Sequence, residues 1–221
     1  MTRNFQKNQL RSPQLTIANI RNALSKNHPR PSIGTNKRPA AVAIIIQKVA
    51  TTVQLLFIER TKRKGDPWSG HIAFPGGKIE DYDRDVRNAA ERETLEEIGI
   101  NLHQAEYLGR LKDLTGNTLP VQVSGFVYYL GTACSFTLSS EIKNAFWIPI
   151  SALIDPERHT QYCLHHNGKK TFFPAINLCN TEQPVLWGIT YRFAIQLLSI
   201  LNLDIPQTTL PLHSKSKEEL S

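Results

Sequence analysis

The chain has 221 residues, 40% of them hydrophobic and 20% charged, the composition of a folded domain and not of a disordered or fibrous chain. Its formal net charge is +7, and it contains no run of roughly 18 apolar residues, which excludes a membrane-spanning helix. The opening MTRNFQKNQLRS lacks the apolar core of a signal peptide, and the three cysteines (Cys134, Cys163, Cys179) show no C-x-x-C spacing. These features point to a cytoplasmic protein with reduced thiols and no zinc site.

Charge is distributed unevenly. Residues 1–38 carry eight Lys or Arg and no acid, whereas residues 80–97 hold eight of the nineteen acids. The basic arm, 1–37, reads as a solubilising segment, with nucleic-acid contact as the lesser alternative. Within it, Leu15, Ile17, Ala18, Ile20, Ala23 and Leu24 recur at near-helical spacing and predict a short helix docked on the domain. Three prolines and a glycine in 27–39 then read as a linker.

The main domain is expected over 38–202. AAVAIIIQ (40–47) and VQLLFIER (53–60) are rich in β-branched and large apolar residues and predict buried strands. KRKGDPWSG (62–70) is a loop, and HIAFPGG (71–77) one short strand stopped by Pro75 and two glycines. A helix near 84–98 closes at Gly99, a residue favoured just past a helix end. AEYLGRLKDL (105–114), VQVSGFVYYLG (121–131), AFWIPI (145–150) and TFFPAI (171–176) predict further strands, SALID a turn of helix, and CLHHNGKK a hairpin. A helix over 185–201 precedes a polar tail, 203–221. Strands outnumber helices in this mixed α/β pattern.

The segment AERETLEEIGI (90–100) places four glutamates in seven positions, although like charges three or four apart on a helix repel. At about 100° per residue, Glu93, Glu96 and Glu97 share one face with Arg92 beside Glu96, while Glu91 points to the far side. Val86, Ala89 and Ala90 continue that face, so the carboxylates extend an apolar stripe instead of opposing it. Carboxylates converging at a cleft either rise in pKa or bind cations, and hard oxygen donors suit Mg²⁺ or Mn²⁺. A charged face paired with neighbouring bases is the bland alternative.

FPGGKIEDYDRDVRNAAERETLEEIGI (74–100) closely resembles the Nudix box: a glycine, a spaced loop, then R-E-U-x-E-E-x-G-U, where U is bulky and apolar. Thr94 is a soft substitution, the spacing from Gly77 to Arg92 is one residue longer than usual, and Arg84 stands where a glutamate is common, with Asp83 beside it as a stand-in. LLFIERTKRKGDPWSGHIAFPGG (55–77), SSEIKNAFWIPISAL (139–153) and LWGITYR (186–192) are similar to the coenzyme A diphosphatase-like branch.

The resemblance implies an α/β/α sandwich with a mixed β-sheet between helices. It also implies hydrolysis of the pyrophosphate in a nucleoside diphosphate linked to another group, coenzyme A among the options. Glu93, Glu97, Glu96 and the Gly77 carbonyl would hold Mg²⁺ or Mn²⁺. Arg92 would orient the glutamates, and Glu93 or the distant Glu141 would serve as base. Arg60, Arg63 and Lys78 are candidates to meet a small nucleotide's phosphates. His71 reads as structural, Trp187 as core, Trp68 as packed more readily than stacked on a base, and His165 and His166 as hairpin residues, with metal binding only a weak reading of them. Two other readings remain: a catalytically weak Nudix domain that senses nucleotides, and an RNA-directed decapping-type pyrophosphohydrolase. The oligomeric state is not legible.

Overall fold

A computed structural model describes residues 15–31, 36–65, 68–116, 120–132, 134–166, 168–178 and 184–206. The expectations for residues 1–14, for most of the C-terminal tail, for Cys179 and for the His166 side chain lie outside the described residues.

The chain forms α1 (Ile17–Ser25), β1 (Arg38–Val49), β2 (Thr52–Arg60), β3 (Ile72–Ala73), β4 (Gly76–Lys78) and α2 (Val86–Ile98). It continues with β5 (Glu106–Arg110), β6 (Leu114–Thr115), β7 (Val121–Tyr129), β8 (Ile142–Pro149) and α3 (Ile150–Leu153). It ends with β9 (His159–His166), β10 (Lys169–Ile176), β11 (Leu186–Trp187) and α4 (Gly188–Ile200).

β1 and β2 pair antiparallel, with Ile46 opposite Leu55, whereas β1 and β7 run parallel from Arg38 opposite Val121 to Ile46 opposite Tyr129. The sheet is therefore mixed, in the order β3–β2–β1–β7–β5, with β4 added to β1, β6 to β7 and β8 to β2. Central β1 is covered on both faces, which is why its sequence is continuously apolar instead of alternating. Ala41, Ala43 and Ile45 pack with Ala89, Ala90 and Ile98 of α2. Ile44 and Ile46 pack on the other face with Ile20 and Leu24 of α1 and Phe193, Ala194 and Leu197 of α4. Each fully buried isoleucine here contributes about 2 kcal/mol of burial free energy. The layers are thus helix, sheet, helix.

Three elements differ from the sequence expectation. HIAFPGG is two strands, because Pro75 lacks an N–H and the chain changes partner there: β3 pairs with β2, and β4 with β1. The strand expected through residue 114 stops at Arg110, after a register shift between Tyr107 and Gly109, and resumes briefly as β6. Leu186 and Trp187 are not helical. They pair with Ile176 and Ala175 in a second, three-stranded sheet, β11–β10–β9, before α4 begins. None of the helices among the described residues is long and apolar enough to cross a membrane.

Candidate active site

Capping at both ends sets the position of α2. Asp85 is extended and its side chain accepts from the Asn88 N–H at 2.8 Å. Gly99 closes the helix at φ 75°, donating its N–H to the Leu95 carbonyl at 3.0 Å. The helix crosses the sheet face formed by β1 and β4. There the two consecutive glycines have separate duties. A Cβ on Gly76, at φ +147°, would strike the Ala41 and Val42 backbone of β1; a Cβ on Gly77 would strike the Glu93 carboxyl group.

Glu97 is the deepest of the three grouped glutamates, at 4% exposure. One of its oxygens accepts the Gly76 N–H at 2.9 Å, and the other accepts from Arg60 at 3.1 Å. Burial pushes this carboxyl up to about 7, even though the Gly76 N–H and Arg60 favour its charged form. Glu93 is partly buried beside Gly77, and burial raises its pKa against the opposing pull of Arg92. Glu96 stays out in solvent and pairs with Arg92 at 3.1 Å. The three do not form a closed cage: among the described residues no three His, Cys, Asp or Glu side chains gather into a group that could hold an ion. Arginines are interleaved between the acids instead.

Arg92 is the hub. It grips Asp83 with two bonds, of 2.9 and 3.0 Å, pairs with Glu93 at 3.1 Å, and donates to the Lys78 carbonyl at 3.1 Å. The Arg92 guanidinium holds Asp83 below the usual carboxylate range, and Asp83 in turn raises Arg92 further above its own. Asp83, next to the position where a box glutamate is common, is therefore the acid that fixes the box arginine.

Glu141, far from α2 in sequence, reaches the site through the end of β2, where the Thr61 N–H bonds the Glu141 carbonyl at 2.8 Å. Its carboxylate pairs with Arg63 at 3.0 Å and Arg60 at 3.5 Å. Arg60 and Arg63, expected to meet phosphates, thus stand among the acids. Exposed Lys78 makes no ion pair among the described residues and flanks Gly77 directly.

Glu91, expected to face away as an ordinary acid, is in fact buried at 8% exposure on the other side of the helix. It accepts from Tyr128 Oη at 2.9 Å and pairs with Arg87 at 3.3 Å. Periodicity could separate it from Glu93 but could not show that Tyr128 of β7 waits beneath. The Gly76 N–H was equally out of reach, since backbone donors carry no sequence signal. His71 meets Trp187 edge-on at 5.1 Å, and Trp187 stacks on Tyr162 at 4.1 Å, in a half-buried aromatic cluster and not in the main core. Trp68 is exposed in a turn.

Residues 37–167, more than half of the chain, match the family model for the NUDIX domain. The chain belongs to the Nudix family. An uncharacterized protein of Schizosaccharomyces pombe is 34% identical over 162 residues, covering 62% of this chain and 49% of the relative. The chain therefore spans about half the length of that relative. The mitochondrial coenzyme A diphosphatase of Homo sapiens is 28% identical over 171 residues, 73% of this chain and 71% of its own. The peroxisomal coenzyme A diphosphatase of Mus musculus is 28% identical over 153 residues, 66% of this chain and 63% of its own.

Proposed function

We propose that this Nudix protein is a divalent-metal-dependent pyrophosphohydrolase. Its substrate is a nucleoside diphosphate linked to another group, with coenzyme A and its derivatives the first class to test. The observation that carries this reading is the seating of the Glu93 and Glu97 carboxylates against Gly76 and Gly77, ringed by Arg60, Arg63 and Arg92. The diphosphatase relatives support the choice of coenzyme A.

The donor chemistry suits a hard divalent cation, which would have to draw together carboxylates that the arginines now hold apart. Glu93, Glu96, Glu97 and the Gly77 carbonyl supply oxygen only, and a buried carboxylate whose charge is disfavoured gains most from a cation. Bound there, Mg²⁺ or Mn²⁺ would neutralise phosphate oxygens and make water more acidic. The residues of the chain do the rest. Lys78, Arg60 and Arg63 offer positive charge to the diphosphate and orient it. Glu93 takes the proton of the attacking water, with Glu141 as the second candidate, on the loop before β8. The new P–O bond to water forms as the anhydride P–O bond breaks, leaving two products that each end in phosphate. Arg92, fixed by Asp83, holds Glu93 and Glu96 in place and touches no reacting atom.

The test is turnover of coenzyme A, its thioesters, dinucleotides, sugar nucleotides and capped RNA with Mg²⁺ or Mn²⁺, with Glu97→Gln as control. The expected result is metal-dependent cleavage of at least one small-molecule member, lost in the control. No turnover of any member, or turnover untouched by Glu97→Gln, overturns the assignment.

A further inference from the structure

The α2 helix meets the sheet along a line of small side chains. Its buried residues are Ala89, Ala90, Glu91, Thr94, Glu97 and Ile98, and among these only Ile98, in the last turn, is large and apolar. Thr94 is fully buried and turns its hydroxyl back to the Ala90 carbonyl at 2.7 Å, so that group is spent within the helix. Small side chains let a helix lie close to a sheet, but they interlock less than the large ones that fix a helix's orientation. Rotation of α2 about its own axis is therefore set from its two flanks.

One flank carries the grouped glutamates. Glu97 accepts from the Gly76 N–H of β4 at 2.9 Å and from Arg60 of β2 at 3.1 Å, and Arg92 donates to the Lys78 carbonyl of β4 at 3.1 Å. The other flank belongs to Glu91. At about 100° per residue it lies roughly 120° around the helix from Glu97, with Thr94 midway between them. Its carboxylate accepts from Tyr128 Oη of β7 at 2.9 Å. These two anchors act on opposite edges of central β1, where Ala41 is paired with Gly77 of β4 on one side and with Ser124 of β7 on the other.

Burial makes the Glu91 anchor firm. Tyr128 is 1% exposed and Glu91 8%, so neither group can turn to water instead, and a buried polar group left unpaired is costly. Arg87 supplies a countercharge at 3.3 Å, its guanidinium lying over the Tyr107 ring at 4.9 Å. An acid on this flank has no part in the proposed chemistry, and an apolar side chain would fill its place without burying a charge. What the acid adds is a directional bond. Side-chain tips stand about 5–6 Å from a helix axis, so a roll of about 10° displaces them by about 1 Å. A displacement of that size breaks a hydrogen bond, and at reacting groups it costs on the order of 10²-fold in rate.

We propose that Glu91 and Tyr128 are positioning residues that set the roll of α2 and so hold Glu97, with Glu93 beside it, against Gly76 and Gly77. Their effect on metal binding rests on the function proposed above; their hold on Glu97 does not.

The experiment follows the Gly76 amide by nuclear magnetic resonance in the full chain, in EDTA, where no metal takes part. The decisive variant is the double change Glu91→Met with Tyr128→Phe. Removing both partners together leaves no buried group unpaired, so its melting temperature should stay near that of the wild type. Exchange of the Gly76 N–H should nevertheless quicken roughly tenfold, while the amides of central β1 exchange as before. Glu91→Gln keeps an acceptor for Tyr128 Oη and should restore the wild-type Gly76 signal. A Mn²⁺ titration read by electron paramagnetic resonance should show roughly tenfold weaker binding in the double variant. A Gly76 amide unaltered in the double variant overturns the proposal. So does a fallen melting temperature with every amide quickened alike, which is the mark of a bond that only stabilises, and so does an unchanged Mn²⁺ affinity. A wild type that takes up no Mn²⁺ counts against the metal-dependent function instead, and the Gly76 amide then decides the positioning role.

Discussion

Two arginine–carboxylate pairs flank the α2 helix, and they behave in opposite ways. Arg92 grips Asp83 through both oxygens, and the carboxyl pKa falls. Arg60 reaches Glu97 through one oxygen, yet burial outweighs it and the carboxyl pKa rises to about 7. Charge is thus settled in the first pair and unresolved in the second. A pair of the first kind fixes geometry, whereas one of the second kind can accept a cation or a proton.

Substitution breaks the comparison most sharply. Glu97→Gln keeps the shape and an acceptor for the Gly76 N–H but removes the charge. Turnover of the proposed substrate should fall on the order of 10²–10³-fold. The melting temperature of the metal-free protein at pH 8 should rise or hold, since a disfavoured buried charge has gone. Asp83→Ala should do the reverse to stability, costing roughly 1–2 kcal/mol, because Arg92 loses its bidentate partner but keeps Glu93 and Glu96. Equal effects of both changes on the metal-free melting temperature would erase the distinction.

pH sharpens it further. Glu97 has a folded pKa pushed up to about 7, above the 4.5 of an unperturbed glutamate, so between these values the folded state binds more protons than the unfolded one. Stability of the metal-free protein should therefore decline as pH rises from about 4.5 to 7, by on the order of 3 kcal/mol. Asp83, with its pKa lowered from 3.8, acts oppositely: its contribution is present above pH 3.8 and is lost as pH falls through the lowered value. Urea titrations across pH 3–8 in EDTA should show a maximum between the two windows. Glu97→Gln should flatten the upper limb alone.

A smaller effect belongs to the glycine pair. Gly77→Ala should displace the Glu93 carboxyl group and cut turnover more than it cuts stability, because the added methyl meets the far end of a side chain. Gly76→Ala meets the β1 backbone at positive φ and should lower the melting temperature as well. Thermal unfolding alongside turnover separates the two.

How much of this was legible in the sequence follows from the range of the forces involved. Helix period and caps are local, so α2 and its closure at Gly99 were readable, as were β1 and β2 from their apolar runs. The grouping of Glu93, Glu96 and Glu97 on one face was readable too. Their unequal burial was not, since it depends on how the sheet passes beneath the helix. The Arg60–Glu97 and Glu91–Tyr128 contacts each join residues 37 positions apart, and only sheet register sets them. Register likewise split HIAFPGG at Pro75 and drew Leu186 and Trp187 out of the expected helix into β11.

The central claim is that Glu97 carries a charge awaiting a cation, and thermal unfolding at pH 8 across a Mn²⁺ titration tests it most directly. At about a hundredfold excess over Kd, ligand linkage stabilises the wild type by about 2.7 kcal/mol, a rise of roughly 5–10 °C, and Glu97→Gln should lose most of that rise. No shift in the wild type, or the same shift in the variant, would contradict it.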